Sequence, residues 1–191
     1  MKKIIIILAV FVIPVCISGQ DDGIISKEEQ RELAKEKRKA EKLAENQKAI
    51  ELTKLMLDYQ RFVLEANYVS GKSGQRYIVS PNLNFMYVDS TEAVLQLGNP
   101  WGVGINGVGG ITLDGTVKKY EVVKKENKRG ISYSVSMFII THAGTYDIHM
   151  WVTQSGKADA TVRGSTSGQL TYSGDLVPLS LSKVYKGNSF P

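Results

Sequence analysis

Cysteine is almost absent: Cys16 is the only one in 191 residues, and it lies within the N-terminal apolar run. No internal disulfide can form, so the fold must rest on apolar burial and hydrogen bonding. Histidine is as scarce. His142 and His149 are the only two, and neither has a second ligand at metal spacing, so no metal site is expected. Long apolar runs are missing too. A helical membrane span needs about 20 apolar residues, and the N-terminal apolar run, residues 4–15, falls short of that. Nor does one sign of charge dominate. The formal charge of +5 includes Lys2 and Lys3, and without them it is about +3, which is ordinary for a soluble protein and asks for no nucleic acid.

What is present begins with a leader. Lys2 and Lys3, the 4–15 run and the small residues Ser18 and Gly19 read as an export signal over residues 1–20. Cleavage after Ser18 or after Gly19 fits, and either cut removes Cys16. Two alternatives stand beside this one. In the first, Cys16 is acylated as the mature N-terminus, although Val15 replaces the small residue that a lipobox carries. In the second, the run stays as an uncleaved anchor. The expected location is outside the cytoplasm: periplasmic, associated with the outer membrane, or extracellular.

Residues 21–60 read as a charged helix or tether. Ser26 and Glu29 form a capping box, and residues 27–48 hold eight basic and six acidic side chains with neither glycine nor proline. Charge pairs three or four positions apart suit a solvated helix, each contributing about 0.2–0.5 kcal/mol. Ala49, Ile50, Leu52, Leu55, Met56 and Leu57 then give the helix an apolar face that can dock on a domain. The stripe of Leu33, Leu43, Ile50 and Leu57 offers a second reading, half of a coiled coil.

From residue 61 onward the period changes to two. Strand-like runs recur at residues 62–68, 77–79, 83–88, 93–97, 111–113, 117–123, 131–140, 145–153, 158–163, 169–172 and 176–184, separated by turn clusters such as Gln154-Ser155-Gly156-Lys157. Strands at that spacing without intervening helices predict a mainly β domain over residues 61–191, an antiparallel barrel or sandwich. Ile131, Tyr133, Val135, Met137 and Ile139 fall on one face of their strand. Tyr146, Ile148, Met150 and Val152 do so on the next, opposite Thr145, Asp147, His149 and Trp151. The apolar sets are the expected core.

The motifs that resemble chemistry fail on context. Gly102, Gly104 and Gly107 spell the dinucleotide fingerprint, but that motif needs a helix to follow, and the next residues are β-prone. Gly71-Lys72-Ser73 lacks the first glycine of a phosphate-binding loop. Asp147 and His149 share a face without a singled-out serine, and Glu65, Asp89, Glu92, Glu121 and Asp147 form no evident pair. Catalytic residues, cofactor and metal are therefore all read as none. Trp101, near a loop, and Trp151, on the polar side of a strand beside His149, are the candidates for ligand binding. Asn106, Gly107, Gly109 and Gly110 are read as a structural turn, because these residue types tolerate positive φ.

The segments 62–66 and 81–88, Asn106-Gly107-Val108-Gly109-Gly110-Ile111-Thr112-Leu113-Asp114-Gly115 and 184–187 resemble the domain-of-unknown-function family 4251 (DUF4251), small exported bacterial proteins. The resemblance implies an exported barrel-like domain, lipocalin-like in outline, with no assigned activity and no catalytic residues to transfer. The expectation is a non-enzymatic envelope protein binding a small apolar or amphipathic ligand. The alternative is an interaction module whose charged helix meets an envelope protein or touches the membrane periphery, and a carboxylate hydrolase ranks third.

Overall fold

The structure, a computed structural model, describes residues 26–99, 104–128, 130–165 and 168–190. The leader, its cleavage sites and Cys16 lie outside them, as does Trp101. Two units divide the chain, Met1–Ala40 and Glu41–Pro191. In the first, the described residues form the start of helix α1 (Lys27–Asp58). Its capping box is closed in both directions: Glu29 N donates to Ser26 Oγ at 3.2 Å, and Ser26 N donates to Glu29 Oε2 at 3.1 Å. Every side chain from Ser26 to Ala40 is exposed.

In the second unit α1 acquires a buried face made of Thr53, Met56 and Leu57. Leu43 stays 64% exposed while Leu57 is fully buried, so the apolar stripe is used for docking at its C-terminal end. Tyr120 caps that end, its hydroxyl donating to the Leu57 carbonyl at 2.9 Å, one of the last-turn acceptors that a helix leaves without partners. Burial, and secondarily the Asp58 charge, push the Tyr120 phenol well above its ordinary value. Gln60, with φ 53°, takes the left-handed conformation that ends the helix, and the first strand starts one residue later.

Among the described residues nine strands follow: β1 (Arg61–Gly71), β2 (Arg76–Ile78), β3 (Phe85–Asp89), β4 (Glu92–Leu97), β5 (Ile111–Asn127), β6 (Gly130–Thr141), β7 (Gly144–Thr153), β8 (Lys157–Gly164) and β9 (Gln169–Val177). All pairings are antiparallel, in the order β2-β1-β3-β4-β5-β6-β7-β8-β9, and β1 also pairs with β9 from Val63↔Val177 to Gly71↔Leu170. That last pairing closes eight strands into a barrel and leaves β2 as an extra strand on β1. The alternation read from the sequence sets the faces. Phe62, Leu64, Met86, Val135, Ile139, Ile148, Met150 and Val152 belong to one buried cluster, each large side chain contributing about 1.5–3 kcal/mol. Met56 and Leu57 join this cluster, and α1 with the 153–157 turn closes that end of the barrel, where a Cβ on Gly156 would touch Thr53 Oγ1.

Two sequence expectations are corrected. The runs at 111–113 and 117–123 are one strand, β5. Gly115 is not a break: a Cβ there would press on Ile139 Cγ2 at 2.6 Å and Ile140 O at 2.8 Å, so glycine is demanded by packing inside the sheet. Conversely, no strand runs through 176–184. The ladder ends at Val177 because Pro178 has no N–H to give, and the chain turns, with Leu181 N and Ser182 N both donating to the Pro178 carbonyl.

The tail beyond Pro178 is strapped across the outside of β1, β3, β4 and β5. Leu179 and Val184 cover the outward-facing Val63, Phe85 and Val94. Ser182 Oγ donates to Glu65 Oε1 at 2.7 Å, and Lys186 Nζ and Ser189 Oγ donate to Asp114 Oδ2 at 2.8 and 2.6 Å. Burial pulls the Asp114 carboxyl upward, but those two hydrogen bonds, with the charges of Lys186 and His142, outweigh it and hold it below the usual carboxylate value. A depressed folded-state value stabilises above the unfolded value, about 3.9, and the benefit is lost as pH falls through the folded one. The stability gap between wild type and Asp114→Asn, measured by urea unfolding, is therefore expected to be open at neutral pH and to close as pH falls below about 4.

Candidate ligand site at the open end of the barrel

The end of the barrel away from the 153–157 turn is not sealed. Because β3 pairs with β1 only over residues 61–65 and β2 takes over at 68–70, the wall between β1 and β4 has a gap at this end. A hollow of about 710 Å³ occupies it, bounded by Val69, Tyr77, Ile78, Val79, Leu97 and Leu170. Beside it lies the mouth of the lumen, about 300 Å³, reached past Leu95, Ile111, Leu113, Tyr146, Val162 and Tyr172. Leu97 and Leu170 line both. Deeper in, the interior is filled by side chains such as Met137, Met150 and Tyr133.

Among the described residues, neither lining contains Asp, Glu, His, Lys, Arg or Cys, and tyrosines are the only ionisable ones. Tyr172 is fully engaged, its hydroxyl donating to the Gln96 carbonyl at 3.2 Å, and burial raises its phenol far beyond the physiological range. Neutral hydrogen-bonding capacity comes from Tyr77 and Ser80. Ile78 is 85% exposed although fully apolar, and with Tyr77 it forms an apolar rim.

One wall of the larger hollow is the turn that the sequence singled out. Asn106 is buried, and its Oδ1 accepts from Val108 N at 3.1 Å and Gly110 N at 2.9 Å, while its Nδ2 donates to Thr112 Oγ1 at 3.1 Å and the Leu97 carbonyl at 3.3 Å. Gly107 and Gly109 have φ of 75° and 78°, a region that side chains disfavour. A Cβ on Gly110 would collide with the Leu97 carbonyl. This turn leads into β5 rather than a helix; Gly102 and Val103 lie outside the described residues.

The turn feeds a buried polar cluster. Gln96 Nε2 donates to the carbonyls of Leu83 at 3.0 Å and Tyr185 at 2.8 Å, and Gln96 Oε1 accepts from Thr112 Oγ1 and Gly187 N, both at 2.8 Å. Asn84 Oδ1 accepts from Gly98 N at 3.0 Å, and Asn84 Nδ2 donates to the Ser80 carbonyl at 3.0 Å. These are structural ties that hold the rim and the tail together.

The aromatic candidates lie elsewhere. Trp151 is on the outer face of β7, 42% exposed, with Lys125 Nζ 5.4 Å from its ring centre. His149 shares that face, its Nδ1 3.3 Å from Ser136 Oγ. Neither residue lines the two hollows, so the structure does not bring them together with the apolar site. Asp89 pairs with Arg61 at 3.0 Å and Glu121 with Lys119 at 3.6 Å. Among the described residues no three His, Cys, Asp or Glu side chains converge on a metal-sized position, and no helix is long and apolar enough to cross a membrane. Sequence reasoning missed Tyr77, Ile78, Leu97 and Leu170 as a group. A signal existed in residues 77–79, three apolar residues in succession directly after a tight turn.

Fold and site together define a helix-plugged, eight-stranded antiparallel barrel with an uncharged apolar opening. The chain belongs to the family described as Domain of unknown function (DUF4251), which it matches over residues 42–176. It is similar to a crystallised DUF4251 family protein from Bacteroides eggerthii, at 33% identity and a TM-score of 0.57, over 74% of this chain and 95% of that one. No curated protein matches the chain significantly.

Proposed function

We propose that this is an exported, non-enzymatic envelope protein, released from a leader at residues 1–20, whose barrel takes up a small apolar or amphipathic ligand at its open end. The observation that carries the reading is the two adjoining hollows with no carboxylate, histidine, lysine, arginine or cysteine among their described lining residues, a surface suited to apolar contact and poor in groups for proton transfer. Native mass spectrometry of protein purified from its own envelope is expected to show a copurifying small molecule. Ile78→Asp, at an exposed rim position that the fold does not need, should reduce its occupancy about tenfold by making apolar entry costly. An unoccupied wild-type protein would end this reading.

A second reading, the charged helix as a recruiting element, is favoured by one observation: every residue from Ser26 to Lys48 is exposed. Deleting residues 21–48 should leave the small molecule in place under the first reading and abolish capture of an envelope protein under the second.

A further inference from the structure

We infer that the ligand is an uncharged, chain-like amphiphile, such as a long-chain alcohol or other neutral single-chain lipid, threaded between the seam hollow and the lumen mouth. This inference rests on the binding reading above and adds the chemistry of the ligand.

Shape comes first. The two hollows are contiguous through Leu97 and Leu170, which face both. One is about 710 Å³ and the other about 300 Å³, and the lumen beyond is filled. A compact ligand would use one lobe only, whereas a flexible chain fills the narrow one while its thicker end stays in the wide one. Polarity comes second. The narrow lobe offers Leu95, Leu97, Ile111, Leu113, Val162 and Leu170 beside Gln169, and the wide lobe adds the neutral polar groups of Tyr77 and Ser80. No cation is among the described lining residues, and two of the neighbouring ones are engaged: Arg76 stacks on the Tyr68 ring at 4.0 Å, and Arg163 Nε donates to Gln169 Oε1 at 3.2 Å. A carboxylate or ammonium head drawn into this opening would lose water without gaining a counter-charge, whereas a hydroxyl head would keep hydrogen bonds.

Decanol, decanoate and decylammonium share a chain and differ only in head charge, and titration calorimetry below their aggregation limits compares them directly. Decanol is expected to bind at least about tenfold more tightly than either ion, and Leu170→Trp, which fills the junction of the lobes, should weaken decanol about tenfold while the thermal transition stays cooperative. Equal or tighter binding of either ion overturns the neutral-head inference and leaves the binding reading standing. Unchanged decanol affinity in Leu170→Trp overturns the threaded path. Failure of all three probes overturns both the inference and the binding reading on which it rests.

Discussion

Gln96→Leu is expected to lower the unfolding free energy by about 4 kcal/mol and to free the C-terminal tail. Leucine fills much of the same volume, so little is lost in packing. What is lost is the partner of four groups: the buried Thr112 hydroxyl, and the part-buried carbonyls of Leu83 and Tyr185 and N–H of Gly187. Each buried group left unsatisfied costs about 1–3 kcal/mol, and lifting the tail lets water recover part of that. The relief route is itself the readout. Trypsin should cut at Lys183 and Lys186 much faster in the variant than in wild type, while urea unfolding reports the free-energy loss. Unchanged proteolysis with unchanged stability would mean that the cluster does not hold the tail.

Gly174→Val is expected to prevent the barrel from closing, with a loss above about 4 kcal/mol or no soluble protein at all. Gly174 lies between two neighbours, opposite Ala158 on β8 and Ala66 on β1, next to the register shift between Ala66 and Tyr68. A Cβ would collide with the Glu65 carbonyl and stand 2.8 Å from Ala66 Cα. Backbone cannot yield as a side-chain tip can, so the strain falls on the one ladder that turns an open sheet into a ring. Gly71→Ala, where an added Cβ meets nothing within 4 Å, is the matched control and should shift the melting temperature only slightly. Circular dichroism melts of the two variants decide the point.

These two positions also mark how far the sequence could be read. Strict alternation placed Tyr133, Val135, Met137 and Ile139 inward and Trp151 outward, because a strand with one buried face has only one compatible register. The helix and its capping box were equally visible, since both are encoded within a few residues. Gly115 and Gly174 were not, because a glycine required by a neighbouring backbone looks the same in sequence as one that ends a strand. The tail escaped for a related reason: residues 176–184 read as a strand, and only tertiary contacts with Glu65, Gln96 and Asp114 decide that the chain beyond Pro178 lies across strands instead of along one.

The candidate site was less legible than the fold. Leu97 and Leu170 are 73 positions apart, and what brings them together at the opening is the β1–β9 pairing with the early end of β3. Trp101 and Trp151 drew attention by residue type, but residue type says nothing about which strand stops short. The Asn106 turn was readable as a corner. That it also walls the seam hollow, through Gly109, required the topology.

The first and last strands of the barrel are neighbours, and this has a consequence for biogenesis. A chain delivered N-terminus first exposes both edges of a growing sheet until β9 emerges, since β1 waits for residues 170–177. Contacts of such long sequence separation are slow to form, and an incomplete sheet with an unpaired edge is prone to wrong partners. Loss of even the final strand should therefore be felt as aggregation during synthesis, well before any defect in the finished molecule could be measured.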